Sequence, residues 1–379
     1  MTRAPVRVLA VLGTRPEAIK LAPVLRLLRG DPAFRLRLCA TAQHRQILDQ
    51  MLRAFGIKPQ LDLNLMRPGQ TPAALLARVV RALDRVCDRE RPDLLLVQGD
   101  TTTVLGAALA AFHRRVPVAH VEAGLRTGDL ARPFPEEANR ILTDRLSALL
   151  FAPTQPARRN LLREGADPEK IFVTGNTAVD SLLWALRRPR RWRSASLAAW
   201  AAAPGPIVAV TLHRRESFGA PLEGLCRALR DAADRDPRLR WVCPVHPAPP
   251  VSSVAPRLLS HPRILLTPPL DYLDFVRLLE RCSFIVTDSG GIQEEAPSLG
   301  KPVLIARDKT ERPEALGRGN ILVGACGESL RRALLRPPLP ARRHAGRPRN
   351  PFGDGRAAGR IVAALRHWAG LGRRPADLR

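Results

Sequence analysis

The chain has 379 residues, 45% apolar and 25% charged, which is enough for two domains with two buried cores. The longest apolar run, 104–112, is far too short for a membrane helix. The first residues hold no signal-like apolar segment, so a membrane protein is excluded and a secreted one is not expected. The formal charge is +26, from 56 arginines and five lysines against 35 acidic residues. These arginines are scattered with few aromatics between them, so they read as a solvated surface rather than a nucleic-acid face.

In chain order, short apolar runs alternate with longer amphipathic ones. Strands are expected at 6–13, 36–42, 93–100, 116–124, 148–154 and 171–175. A second set is expected at 206–213, 239–246, 263–269, 284–289, 302–306 and 320–324. The runs are continuous rather than alternating, as parallel strands covered on both faces should be. Helical periodicity marks 17–29, 71–89 and 222–234. Two successive sets of six β-α units predict two Rossmann-like doubly wound α/β domains. The N-terminal domain is expected over 1–185 and the second over 206–354. Residues 186–205, rich in Arg, Ala and Pro, read as a linker. A loose stretch at 336–351 precedes a last helix near 354–371. The six cysteines form no CxxC pair and read as buried thiols in a reducing cytoplasm, with no metal site.

Ligands of open α/β sheets lie beyond the carboxyl ends of the strands, so the polar residues there matter most. After the first strand come Gly13-Thr14-Arg15-Pro16-Glu17, with Lys20 one turn on. Loop amides, a helix N-terminus and two cations suit an anion. No GxGxxG is present, which weighs against a nicotinamide cofactor. Asp100, Glu122 and Glu136 follow later strands and bring carboxylates to one sheet edge, where burial can tune them as acids or bases. In the second domain, His213 ends the first strand, followed by Arg214 and Arg215, and is a candidate proton carrier. Ser289-Gly290-Gly291 opens a helix where a phosphate can reach free amides. Glu294 and Glu295 stand where a carboxylate can accept from ribose hydroxyls, and Arg312 can neutralise a diphosphate.

The segments GTRPEAIKLAPV, QHRQILDQML, VQGDTTT, HVEAGLRTGD, PFPEEANRILTD, TGNTAVDSL, LHRRES, TDSGGIQEEAPSLGKPVL and TERPEAL occur in this order. Together, over about residues 6–366, they resemble the bacterial non-hydrolysing UDP-N-acetylglucosamine 2-epimerases. The resemblance implies a GT-B architecture, with two Rossmann-like domains facing across a cleft and the last helix, about 355–379, crossing back to the first. It implies reversible conversion of UDP-GlcNAc to UDP-ManNAc without a cofactor, by a homodimer. Asp100, Glu122, Glu136 and His213 are then assigned to acid/base chemistry. Arg15, Lys20, Phe275, Ser289, Gly290, Gly291, Glu295 and Arg312 are assigned to the UDP moiety, with the backbone around Phe275 meeting the uracil. Gln43, Gln46, Arg214 and His246 resemble positions of a second, activating substrate site. Ala248, where the family often has asparagine, weakens the expectation of that regulation.

The implied chemistry is elimination of UDP across C1–C2 to 2-acetamidoglucal, then re-addition with protonation on the other face. Two readings compete: a hydrolysing epimerase, and a GT-B glycosyltransferase using a UDP-sugar. Expected partners are a UDP-sugar and a second copy of the chain, with neither nucleic acid nor membrane.

Overall fold

Thirteen parallel strands form two sheets in the computed structural model, which describes residues 4–41, 51–67, 69–189, 191–317, 319–338 and 349–378. The chain divides into one unit of Met1–Leu183 with Phe352–Arg379, and another of Trp184–Pro351.

The first unit holds β1 (Val6–Leu12), β2 (Phe34–Ala40), β3 (Leu61–Asp62), β4 (Leu94–Gln98), β5 (Val118–Val121), β6 (Leu149–Ala152) and β7 (Ile171–Val173), in the order 3-2-1-4-5-6-7. Strand β4 reads Leu-Leu-Leu-Val-Gln and is buried throughout, because helices cover both faces of the sheet. Strand β3 was not expected; with two residues it is too short to carry a periodic signal.

The last helix, Ala357–Trp368, belongs to this unit. It packs on the helix Arg15–Gly30, and its first amides, of Ala357 and Ala358, donate to Asp180 at 3.2 and 2.9 Å. Burial pushes the Asp180 carboxyl up to about 6. Beyond the helix, Leu378 N–H donates to the Val173 carbonyl, and Arg374 donates to the carbonyls of Glu169 and Ile171. The tail thus covers the outer edge of β7, which would otherwise offer unpaired backbone groups.

The second unit holds β8 (Ile207–Thr211), β9 (Arg240–Pro244), β10 (Ile264–Thr267), β11 (Phe284–Thr287), β12 (Val303–Ile305) and β13 (Asn320–Leu322), in the order 10-9-8-11-12-13. The expected linker 186–205 contains a helix, Ala195–Ala202. Ser194 caps it, the Asp274 carboxylate accepts from the amides of Arg193 and Ser194, and Leu197 and Ala201 are buried in this unit's core. Its alanines favour helix but blur the apolar periodicity, so composition alone suggested a link.

Five of the six cysteines are buried, as expected. Burial pushes Cys39, Cys226, Cys243 and Cys282 up to about 12 and Cys87 to about 11. Cys326 is the exception: it is exposed, and the amides of Ser329 and Glu328 lower it.

Candidate active site

Strand order reverses between β1 and β4 in the first sheet and between β8 and β11 in the second. Such a reversal leaves a crevice at the strand ends, and most of the candidate residues fall at these two places.

In the first unit, Glu17 joins the loops after β1 and β4. Its Oε2 accepts from the amides of Gly13 (2.5 Å) and Thr14 (3.0 Å), and its Oε1 accepts from the Thr101 hydroxyl at 2.6 Å. Burial raises the Glu17 carboxyl even against these donors. Gly13 is required here, because a Cβ would lie 2.5 Å from Thr41 Oγ1. Arg15, half-buried, stands on the first turn of the following helix.

Glu122 follows β5 with φ +74°, a left-handed backbone that side-chain-bearing residues rarely adopt. Such strain tends to persist where a side chain must be aimed. The carboxylate is buried. Lys20 Nζ donates to Oε1 at 2.6 Å, Asn176 Nδ2 donates to Oε1 at 3.1 Å, and the Gln98 amide donates to Oε2. Lys20, expected with the diphosphate set, meets Glu122 in this structure.

Asp100 is 29% exposed. Its carboxylate meets Arg140, a buried guanidinium that also donates to Glu137 at 2.5 Å. Glu137 in turn accepts from the amides of Thr127 and Gly128 at 2.8 and 3.0 Å. The helix Glu136–Leu146 therefore holds Asp100 through its buried side, with Asn139 also donating to the Asp100 carbonyl. Glu136, half-buried, opens that helix. Behind them, His120 is bracketed by Asp144 at 2.6 Å and the Gly99 carbonyl at 2.7 Å. Burial alone would raise Asp144, but His120 and Arg126 prevail and hold it low.

In the second unit, the buried Asp288 at the end of β11 organises the loop after β8. Its Oδ2 accepts from the amides of His213 and Arg214, both at 2.8 Å. His213 Nδ1 lies 3.5 Å from Oδ1. The His246 ring stacks on His213 with centroids 5.5 Å apart. His246 Nδ1 accepts from the Ala248 amide at 3.1 Å, a contact that does not depend on the side chain at 248. Gln43 and Gln46 lie outside the described residues.

Ser289 precedes the helix Gly290–Leu299 without capping it through its side chain. Arg312 lies directly on Gly290, where a Cβ would sit 2.6 Å from its guanidinium. Arg312 is one rung of a ladder of alternating charge. Glu216 accepts from Arg307 (2.7 Å), Arg307 also donates to Glu311 (2.8 Å), and Arg312 binds both Glu311 and, at 2.5 Å, Glu294. Glu294 is thus committed to Arg312, while Glu295 accepts from the buried Tyr272 hydroxyl at 3.3 Å. Phe275 stands in the first turn of the helix Tyr272–Arg281, its amide donating to the carbonyl of the capping Asp271 at 2.9 Å.

Sequence reasoning missed Arg140, Glu137, Asn176, Gln98, Asp288, Arg307 and Glu311. Most act through a neighbour rather than standing at a strand end; the exceptions are Gln98, the last residue of β4, and Asp288, which was visible inside Thr-Asp-Ser-Gly-Gly. Among the described residues no group of three His, Cys, Asp or Glu side chains could hold a metal ion, and no helix is long and apolar enough to cross a membrane.

The family model described as UDP-N-acetylglucosamine 2-epimerase matches residues 26–366. The UDP-N-acetylglucosamine 2-epimerase of Yersinia pestis is 49% identical over 370 residues, 95% of this chain and 98% of that one. That of Escherichia coli K12 is 47% identical over 372 residues, with 95% and 98% covered. Among solved structures, an S. aureus MnaA–UDP structure has a TM-score of 0.91 at 39% identity, covering 99% of this chain and 100% of that one. A Neisseria meningitidis UDP-GlcNAc 2-epimerase bound to UDP-GlcNAc has a TM-score of 0.88 at 40% identity, covering 95% and 99%. These likenesses extend over both units, in keeping with the GT-B fold class expected from the sequence. The chain belongs to the UDP-N-acetylglucosamine 2-epimerase family.

Proposed function

We propose that the protein interconverts UDP-GlcNAc and UDP-ManNAc without hydrolysis, by eliminating UDP to 2-acetamidoglucal and adding it back. The observation that carries this reading is the division of chemistry between the two strand-order reversals. The first presents Asp100 and Glu122, each held by a buried cation. The second presents free helix amides, Ser289, Gly290 and an arginine seated on that glycine.

C2 of the sugar bears a weakly acidic hydrogen, so one group must take a proton and another must return one to the opposite face. Asp100, Glu122, Glu136 and His213 are our candidates. The leaving diphosphate develops charge that Arg312, Arg15 and the amides after Ser289 can stabilise, and Glu295 is our candidate for the ribose. Lys20 we assign to holding Glu122 rather than to the phosphates. Arg214 and His246, with Gln43 and Gln46, remain candidates for a second substrate site. The proposal includes a homodimer working in the cytoplasm on a UDP-sugar, with no added cofactor and no nucleic-acid or membrane partner. The two domains we propose follow the two units, so that the segment expected as a linker, 186–205, joins the second domain rather than separating 1–185 from 206–354.

Incubation with UDP-GlcNAc in D2O tests it. UDP-ManNAc should accumulate, and deuterium should enter C2 of both sugars. Retention of the original hydrogen at C2 in the epimerised product would exclude elimination, and free ManNAc as the product would mean the hydrolysing reaction.

A further inference from the structure

Asp288 is fully buried, and its two carboxylate oxygens have separate surroundings. Oδ2 takes the amides of His213 and Arg214. Oδ1 is buried with no hydrogen bond of its own and lies 3.5 Å from His213 Nδ1. That spacing is electrostatic orientation rather than a tight hydrogen bond. We propose that Asp288 is a positioning residue for His213: it fixes the backbone of the loop, and it selects the imidazole tautomer with the proton on Nδ1. This rests on the reading of His213 as a proton carrier.

An ionised carboxylate can only accept, so it favours an N–H on the nitrogen it faces. Nε2 is then the lone-pair atom, directed away from Asp288 and able to exchange a proton. When the ring charges, the same carboxylate offsets the charge. His246 completes the arrangement. Its Nδ1 accepts the Ala248 N–H, so that nitrogen carries a lone pair and the ring is neutral. A neutral ring stacked on His213 does not oppose its protonation. Beside His213 lie Asp288 from β11, the His246 ring from the β9 loop and its sequence neighbour Arg214; Glu216, three residues on, is paired with Arg307.

Asp288→Asn tests the assignment. The asparagine oxygen must stay on the two backbone amides, which turns the NH2 group toward Nδ1 and forces the opposite tautomer. Turnover should fall by about 10²-fold, the scale of a proton-transfer group. UDP affinity should stay close to normal, and the histidine limb of the pH–rate profile should move about one unit lower. In the unaltered protein, nitrogen-15 NMR of the histidine rings should find His213 protonated at Nδ1, a measurement independent of whether the variant folds. An unmoved profile with near-normal turnover in Asp288→Asn, beside an inactive His213→Asn, would overturn this proposal alone. So would an Nε2–H tautomer. Normal turnover in His213→Asn would overturn the proton-carrier reading and this inference with it.

Discussion

The two strand-order reversals share a plan and differ in chemistry. Each is tied by one buried carboxylate that accepts two loop amides: Glu17 from Gly13 and Thr14, and Asp288 from His213 and Arg214. Each also joins two threonine hydroxyls near the strand ends: Thr41, just after β2, with Thr103 in the helix after β4, and Thr211 with Thr287 at the ends of the paired strands β8 and β11. Around the first tie, carboxylates face the strand ends and buried cations hold them. Around the second, an arginine and helix amides face the strand ends and buried carboxylates hold the arginine. On our proposal the first unit carries most of the acid–base candidates and the second most of the anion candidates, and in two pairs the candidate is the more exposed member: Asp100 against Arg140, and Arg312 against Glu294. Fold alone does not give this division; it comes from the side chains at the sites.

The comparison breaks first at the carboxylates. Asp100→Asn and Glu122→Gln should each lower turnover by about 10²-fold or more if these groups move protons. They should differ in stability. Asp100 is partly exposed and Arg140 keeps Glu137, so Asp100→Asn should unfold near the normal temperature. Glu122→Gln removes one charge of the buried pair that Lys20 and Glu122 make at 2.6 Å, a loss on the scale of about 3–5 kcal/mol. Steady-state rates with UDP-GlcNAc and thermal melts of both variants decide this. Near-normal turnover in both would make the cluster structural.

A smaller effect is expected at the anion set. Arg312→Lys keeps a charge but loses the fork that meets Glu294 and Glu311 while lying on Gly290. UDP should bind about 10-fold more weakly, within the range of one charge-assisted contact. Arg191→Ala, in a segment with no candidate role, should leave binding unchanged. Calorimetric titration with UDP separates the two. Equal losses would point to the overall +26 charge rather than to a site.

Much of this was legible in the sequence. Each of the twelve expected apolar runs holds all or most of a strand, because parallel strands buried on both faces are dominated by apolar residues. Asp100, Glu122, His213 and Ser289 stood out because strand ends are where side chains leave the core. Pairing was less visible. Nothing in the spacing of Lys20 and Glu122, 102 residues apart, says that they meet at 2.6 Å. Lys20 near a glycine-led helix start reads as a phosphate ligand until the sheet order brings β5 beside β4 and within reach of that helix. Glu136 and Glu137 are neighbours in sequence, but the helix turns Glu137 inward onto Arg140. Glu294 and Glu295 divide in the same way, one onto Arg312 and the other onto Tyr272. Adjacent carboxylates were detected, but their division of labour depends on helical phase against a particular neighbour.

The sharpest test of the comparison is that the two ties, alike in geometry, should respond differently to loss of charge. In Glu17→Gln the amide oxygen can take the place of Oε2 and accept from Gly13 and Thr14. The NH2 group then faces the Thr101 hydroxyl, which can turn and accept instead of donate. No hydrogen bond need be lost. The charge itself is unfavourable here, because burial raises the Glu17 carboxyl above its ordinary range. A carboxyl raised in the folded state contributes stability at low pH, and that contribution disappears as pH rises through its folded value. Removing the charge should therefore leave the protein at least as stable near neutral pH as the unaltered chain. Its stability advantage should shrink on acidification, as the unaltered Glu17 takes up its proton. Turnover should change by no more than a few-fold, since Glu17 touches only loop groups. Asp288→Asn meets an imidazole whose tautomer it reverses, and a ring cannot turn as a hydroxyl does. Melting temperatures of Glu17→Gln across the acid range, with turnover measured beside Asp288→Asn, would decide it. If Glu17→Gln loses as much turnover as Asp288→Asn, the first tie also acts through its charge, and the difference drawn between the two units is wrong.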